Sequence, residues 1–127
     1  MKLLSVNCAG ISAFKLFLLL EHCKADLICL QETWLRQSAD SLPLPGYRWY
    51  EHRRSGTRGG IAVLVREGLH VRKTASNEYA QMVDLQMSDG SICSIINTYL
   101  PPMYNLGRRH ITEDTVRDQF LAIANKV

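Results

Sequence analysis

The stretch Leu27-Ile28-Cys29-Leu30-Gln31-Glu32-Thr33-Trp34-Leu35 decides the reading of this chain. Four consecutive apolar residues imply a strand buried on both faces, the pattern of a central strand in a covered sheet. The run then delivers a carboxylate, Glu32, to a sheet edge, where it is a candidate metal ligand. An acid in that place is otherwise a solvated strand-end residue, so the segments around it have to decide.

Two further segments share the design. Leu3-Leu4-Ser5-Val6-Asn7 is an apolar run ending in an amide, and Ile92 to Pro102 runs into Asn97, Tyr99 and a Pro101-Pro102 stop. In open α/β sheets, polar groups at the carboxyl ends of neighbouring strands converge on one crevice. Asn7, Glu32, Asn97 and Tyr99 are therefore expected to line one site. The plainer readings are a turn residue before Gly10 for Asn7, a packed phenol with a wet hydroxyl for Tyr99, and a loop-stabilising amide for Asn97.

Between these segments, Lys2–Val6 reads as the first strand and Gly10 as a turn. Ser12 caps a helix with Ala13, Leu16, Phe17, Leu20 and Cys23 on one face. Pro43-Leu44-Pro45-Gly46 is a loop, Tyr47–His52 an outer strand with one wet face, and Gly59-Gly60 opens a core strand, Ile61–Val65. Val83, Leu85 and Met87 alternate with Met82, Asp84 and Gln86, and Asp89-Gly90 predicts a two-residue hairpin into Ser91–Asn97. Thr112 or Thr115 caps a last helix that presents Val116, Phe120, Ile123 and Val127. The expected fold is α/β (α+β): a single unit over residues 1–127 with one mixed, mostly antiparallel sheet and flanking helices.

At 127 residues the chain is one domain's worth, and 46% hydrophobic with 21% charged residues is ordinary for a soluble protein. The net charge of +3 suits a polyanionic partner without establishing one, although Arg48, Arg53, Arg54 and Arg58 gather around one turn. Cys8, Cys23, Cys29 and Cys93 form no CxxC pair; they read as reduced thiols of an intracellular protein, nuclear or cytoplasmic and not secreted. The apolar run Phe14–Leu20 is too short to span a bilayer, so no membrane partner is expected. His22, His52, His70 and His110 read as surface or loop residues.

Taken in order, Ser5-Val6-Asn7, Leu30-Gln31-Glu32-Thr33, Gly59–Val65 and Ile96–Pro102 resemble the motifs of the endonuclease/exonuclease/phosphatase superfamily, most closely the endonuclease domains of non-LTR retrotransposons. The resemblance implies a DNA endonuclease that hydrolyses phosphodiesters with Mg2+ (or Mn2+). Glu32 would be the principal metal ligand, Asn7 would assist at the metal or phosphate, and Tyr99 would contact the scissile phosphate. Arg53, Arg54 and Arg58, with Asn97, would contact the DNA backbone. Ala9 departs from the pattern, since the family often has a second Asx there.

The family's later Gly-Asp-Phe-Asn and Ser-Asp-His segments do not occur, so the chain matches the N-terminal half of a four-layer α/β sandwich, a C-terminally truncated domain expected to be inactive alone. The inner face around Ile61, Val63 and Val65 is then expected to lack its partner sheet, which points to self-association or to docking of a missing C-terminal half. The alternatives are a phosphatase of inositol or other small phosphoesters, and a non-catalytic nucleic-acid-binding module.

Overall fold

A computed structural model describes residues 1–35, 44–53, 59–100 and 113–127. In chain order the elements are β1 (Leu3–Asn7), α1 (Ala13–His22), β2 (Leu27–Gln31), β3 (Tyr47–His52), β4 (Ile61–Arg66), β5 (His70–Ser76), β6 (Ala80–Gln86), β7 (Ile92–Thr98) and α2 (Glu113–Ala124). Among the described residues no helix is long and apolar enough to cross a membrane.

The four-residue apolar run does form a central strand. In β2, Leu27, Ile28 and Leu30 are fully buried, flanked by β1 in parallel and β4 antiparallel, with β3 at the far edge in the order β1-β2-β4-β3. Joining two parallel neighbours requires a crossover, which α1 supplies. Ser12 starts that helix as expected, its Oγ accepting the Lys15 amide at 3.2 Å. Leu16, Leu19, Leu20 and Cys23 then pack on Ile28, Leu30, Ala62 and Leu64. Phe17, expected on the buried face, is instead exposed together with Phe14.

The strands divide between two sheets rather than lying in one. β5, β6 and β7 form a second, antiparallel sheet, and Val83 and Leu85 pack against Leu27, Cys29, Val63 and Val65 of the first. Ile61, Val63 and Val65 are each 0% exposed, so the face expected to be uncovered has its partner within the chain. That burial removes the reason to expect self-association through it. The outer face of β6 packs through Ala80 and Met82 on Phe120 and Ile123 of α2, giving the layers helix, sheet, sheet, helix.

Three local differences follow from this second sheet. β5 has no strand signature in its sequence because only Val71 and Ala75 turn inward, and a register shift falls between Val71 and Lys73. β6 is buried on both faces, the polar Gln81 and Asp84 included. The hairpin after it has three loop residues, closed by Met87 and Ser91, with Gly90 at φ 87° absorbing the extra residue. At the end, Thr115 lies inside α2 rather than capping it, Thr112 lies outside the described residues, and Val127 is exposed.

Asp26 ties the start of β2 to both neighbours: one oxygen accepts the Lys2 amide at 2.6 Å and the other pairs with Arg66 at 2.6 Å. The Lys2 amide first, and the Arg66 charge after it, hold the carboxyl below the usual range. A depressed folded pKa stabilises the fold above the ordinary carboxylate value near about pH 4, and the effect is lost as pH falls through the folded value. Asp26→Asn should therefore lower the urea midpoint at pH 7 and leave it unchanged at about pH 2. Leu30→Ala and Leu85→Ala should each cost about 2–5 kcal/mol in the same assay. Leu3→Ala, at a residue 47% exposed, should cost less than about 0.5 kcal/mol.

Candidate active site

The carboxyl ends of β1 and β2 lie side by side because the strands are parallel, with Asn7 opposite Gln31; β4 begins at the same end, with Ile61 opposite Gln31. β7 of the other sheet arrives there too, since Asn97 reaches the carbonyls of Leu30 and Ala62. The topology thus brings Asn7, Glu32, Asn97 and Tyr99 to one end of the sandwich.

Glu32 and Tyr99 meet directly. The Tyr99 hydroxyl donates to Glu32 Oε1 at 2.6 Å, and the Tyr99 amide is itself held by Tyr79 O at 2.9 Å. The phenol is 8% exposed while the carboxylate is half-buried, so the acid is oriented yet reachable.

A ladder of main-chain bonds presents that acid. The Gly10 amide donates to Glu32 O at 2.8 Å, Ile11 to Thr33 O at 3.0 Å, Thr33 to Gly60 O at 3.2 Å and Trp34 to Gly59 O at 2.9 Å. The Cys8 amide and thiol both reach Gln31 O, at 2.9 and 3.1 Å. These bonds hold Glu32 at φ 54°, Trp34 at 56° and Ala9 at 42°, left-handed conformations that cost non-glycine residues on the order of 1 kcal/mol or more each. Two glycines make the approach possible. A Cβ on Gly10 would lie 2.7 Å from the Trp34 ring, and one on Gly60 would overlap Thr33 Oγ1.

The other expected residues fall on both sides of the line. Asn7 is exposed beside Gln31, its Oδ1 accepting the Ala9 amide at 3.3 Å, so it is both turn-former and site-lining. Asn97 is not available to DNA: its side chain is 2% exposed, with Nδ2 donating to Leu30 O and Ala62 O at 3.0 Å each and Oδ1 accepting from Gln31 Nε2 at 2.7 Å. Arg53 is 14% exposed and forms a two-pronged pair with Glu51 at 2.7 and 3.2 Å, which neutralises it within the fold. Arg54 and Arg58 lie outside the described residues.

Sequence reasoning missed Gln31 and Gln81. Gln31 bridges Ser5 Oγ, at 3.1 Å, and Asn97; Gln81, 2% exposed, donates to Tyr50 O at 2.6 Å. Gln31 stands between an apolar run and a candidate ligand, and that placement is the one signal it offered.

The donor set is hard oxygen, the Glu32 carboxylate and the Asn7 amide, the kind Mg2+ or Mn2+ takes, with the Tyr99 hydroxyl donating to Glu32. Among the described residues no group of three or more His, Cys, Asp and Glu could hold a metal, so this set would be completed by water, substrate phosphate or other groups. The thiols are poor candidates. All four cysteines are unpaired, burial raises the Cys8 pKa, and it pushes Cys29 up to about 11.

A sequence model described as the Endonuclease/Exonuclease/phosphatase family matches residues 4–124. No curated protein sequence matches. Among solved structures, an AP endonuclease from Archaeoglobus fulgidus superposes with a TM-score of 0.57 at 19% identity, over 80% of this chain and 41% of that one. TDP2 from Caenorhabditis elegans gives 0.58 at 19% identity, over 93% and 42%. The 3'-5' exonuclease NExo from Neisseria meningitidis gives 0.52 at 18% identity, over 97% and 54%. At such identities the likeness is one of fold, and the chain spans about half the length of these structures.

The two kinds of glycine restraint separate experimentally. Gly60→Ala combines φ 90° with a clash and should cost well over about 2 kcal/mol of unfolding free energy. Gly68→Ala, at φ 98° in open space, should cost only about 1 kcal/mol, both read from urea denaturation.

Proposed function

The chain belongs to the Endonuclease/Exonuclease/phosphatase family, and from that premise we propose that it forms part of a Mg2+- or Mn2+-dependent phosphodiester hydrolase acting on DNA, of the retrotransposon endonuclease kind. The observation that carries this reading is the 2.6 Å bond between Tyr99 and Glu32 at the converging strand ends. It couples a half-buried carboxylate to a phenol 67 residues away, just past the end of a strand of the other sheet.

In this reading Glu32 would hold the cation and Asn7 would bind beside it. A bound divalent ion would supply charge neutralisation on the phosphate and help for the leaving oxygen. Tyr99 would orient Glu32 and hydrogen-bond the phosphate. The general base and further acids of such an enzyme have no counterpart in the Glu32–Asn7–Tyr99 set, so this chain alone should be inactive or nearly so.

DNA is preferred as substrate because the motifs resemble retrotransposon endonucleases and a second NExo structure from Neisseria, of a variant described as a 3' phosphatase, is bound to a product DNA hairpin. The engagement of Arg53 with Glu51 weakens the arginine turn as an argument for a long polyanion. Inositol phosphates and other small phosphoesters are therefore a necessary comparison. Four unpaired thiols suit a reducing, intracellular setting.

Titrating Mn2+ into the chain should broaden the NMR signals of Glu32, Asn7 and Tyr99 selectively, and Glu32→Gln should abolish the effect. Uniform broadening, or broadening unchanged by the substitution, counts against the reading. In a complete enzyme containing this chain, the same substitution should lower plasmid-nicking kcat by at least about 100-fold. Faster hydrolysis of inositol phosphates than of plasmid would move the assignment to the phosphatase branch.

A further inference from the structure

Glu32 and Tyr99 directly follow strands of different sheets, β2 and β7, so their bond depends on how the sheets are aligned. Apolar packing between Leu27, Cys29, Val63, Val65, Val83 and Leu85 drives the sheets together but is non-directional, and it does not set their relative slide to a few tenths of an ångström. A 2.6 Å hydrogen bond requires that accuracy.

The directional contacts are concentrated at the site end. Asn97, two residues before Tyr99 on β7, places Nδ2 3.0 Å from Leu30 O on β2 and 3.0 Å from Ala62 O on β4, residues that are themselves paired across those strands. Gln31, which adjoins Glu32, locks the amide from the other side at 2.7 Å and is braced by Ser5 Oγ at 3.1 Å. Beside Asn97 in register, Gln81 donates across the sheets to Tyr50 O at 2.6 Å, and His52 shares a 2.9 Å bond with Ser76. Among the described residues, the polar cross-links between the sheets thus cluster at the site end, against a single one at the other, where Arg48 donates to Leu69 O at 2.6 Å.

We propose that Asn97, locked by Gln31, is the positioning residue for the Glu32–Tyr99 pair. Its amide ties the strand leading to Tyr99 onto the two strands that frame Glu32, and it sets the reach of the phenol. Its consequence for hydrolysis rests on the function proposed above; the positioning itself does not, and it is measurable without metal or substrate.

The test uses the 127-residue chain labelled with 13C at tyrosine Cζ, with Tyr99→Phe assigning the signal among five tyrosines. In the parent chain Glu32→Gln should displace the Tyr99 Cζ resonance. In Asn97→Ala and in Gln31→Met chains, at temperatures below unfolding, that displacement should fall by at least half, because the phenol has lost its alignment. Gln31→Met keeps both Asn97–carbonyl bonds and decides the matter if Asn97→Ala does not fold. A full-sized displacement in either variant, accompanied only by a lower melting temperature, overturns the proposal and leaves Asn97 as a stabilising amide. Absence of selective Mn2+ broadening in the parent would instead remove the proposed function and leave this result standing.

Discussion

Burial of β2 and β4 on both faces is the constraint from which the other features follow. Leu27, Ile28 and Leu30 of one strand and Ile61 to Val65 of the other are shut away by α1 on one side and by the second sheet on the other. A one-residue slip of either strand would exchange every side chain between two differently shaped apolar layers, so the packing on both faces holds the register. Glu32 and Gly60, at the adjoining ends of those strands, inherit that fixity. The site is therefore built on the least deformable part of the molecule, with only its last polar contacts left to directional bonds.

Those bonds do two distinct tasks. The main-chain ladder from Cys8–Ile11 through Gln31–Trp34 to Gly59-Gly60 works within the first sheet and turns the chain sharply enough to present the acid. The amide cross-links work between sheets and bring the phenol to it. Buried amides are costly if unmatched, and Asn97 has partners for both its nitrogen and its oxygen. The polar layer thus favours one alignment of the sheets over its neighbours.

Much of this was legible in the residues themselves. The apolar runs of β2 and β4 and the Ser12 cap read correctly, because each depends on local spacing. What did not read was which element covers which face. Apolar periodicity says that Val63 and Val65 are buried, not that Val83 and Leu85 bury them, so one sheet was expected where there are two. The same limit applies to polar residues. An amide at a strand end reads alike whether it turns outward to a ligand or inward to a neighbouring carbonyl, which is how Asn97 was placed among the DNA contacts. Arg53 is engaged for a related reason, since its partner Glu51 lies two residues back, near the end of β3, and the two side chains are largely buried together.

Ala9, Glu32 and Trp34 hold backbone angles that glycine would adopt with less resistance. A glycine at position 32 would release that strain and at the same time remove the carboxylate that accepts the Tyr99 hydroxyl. Relief of backbone strain and loss of the acid are thus one and the same substitution at position 32, so stabilising the turn and keeping the carboxylate pull in opposite directions there.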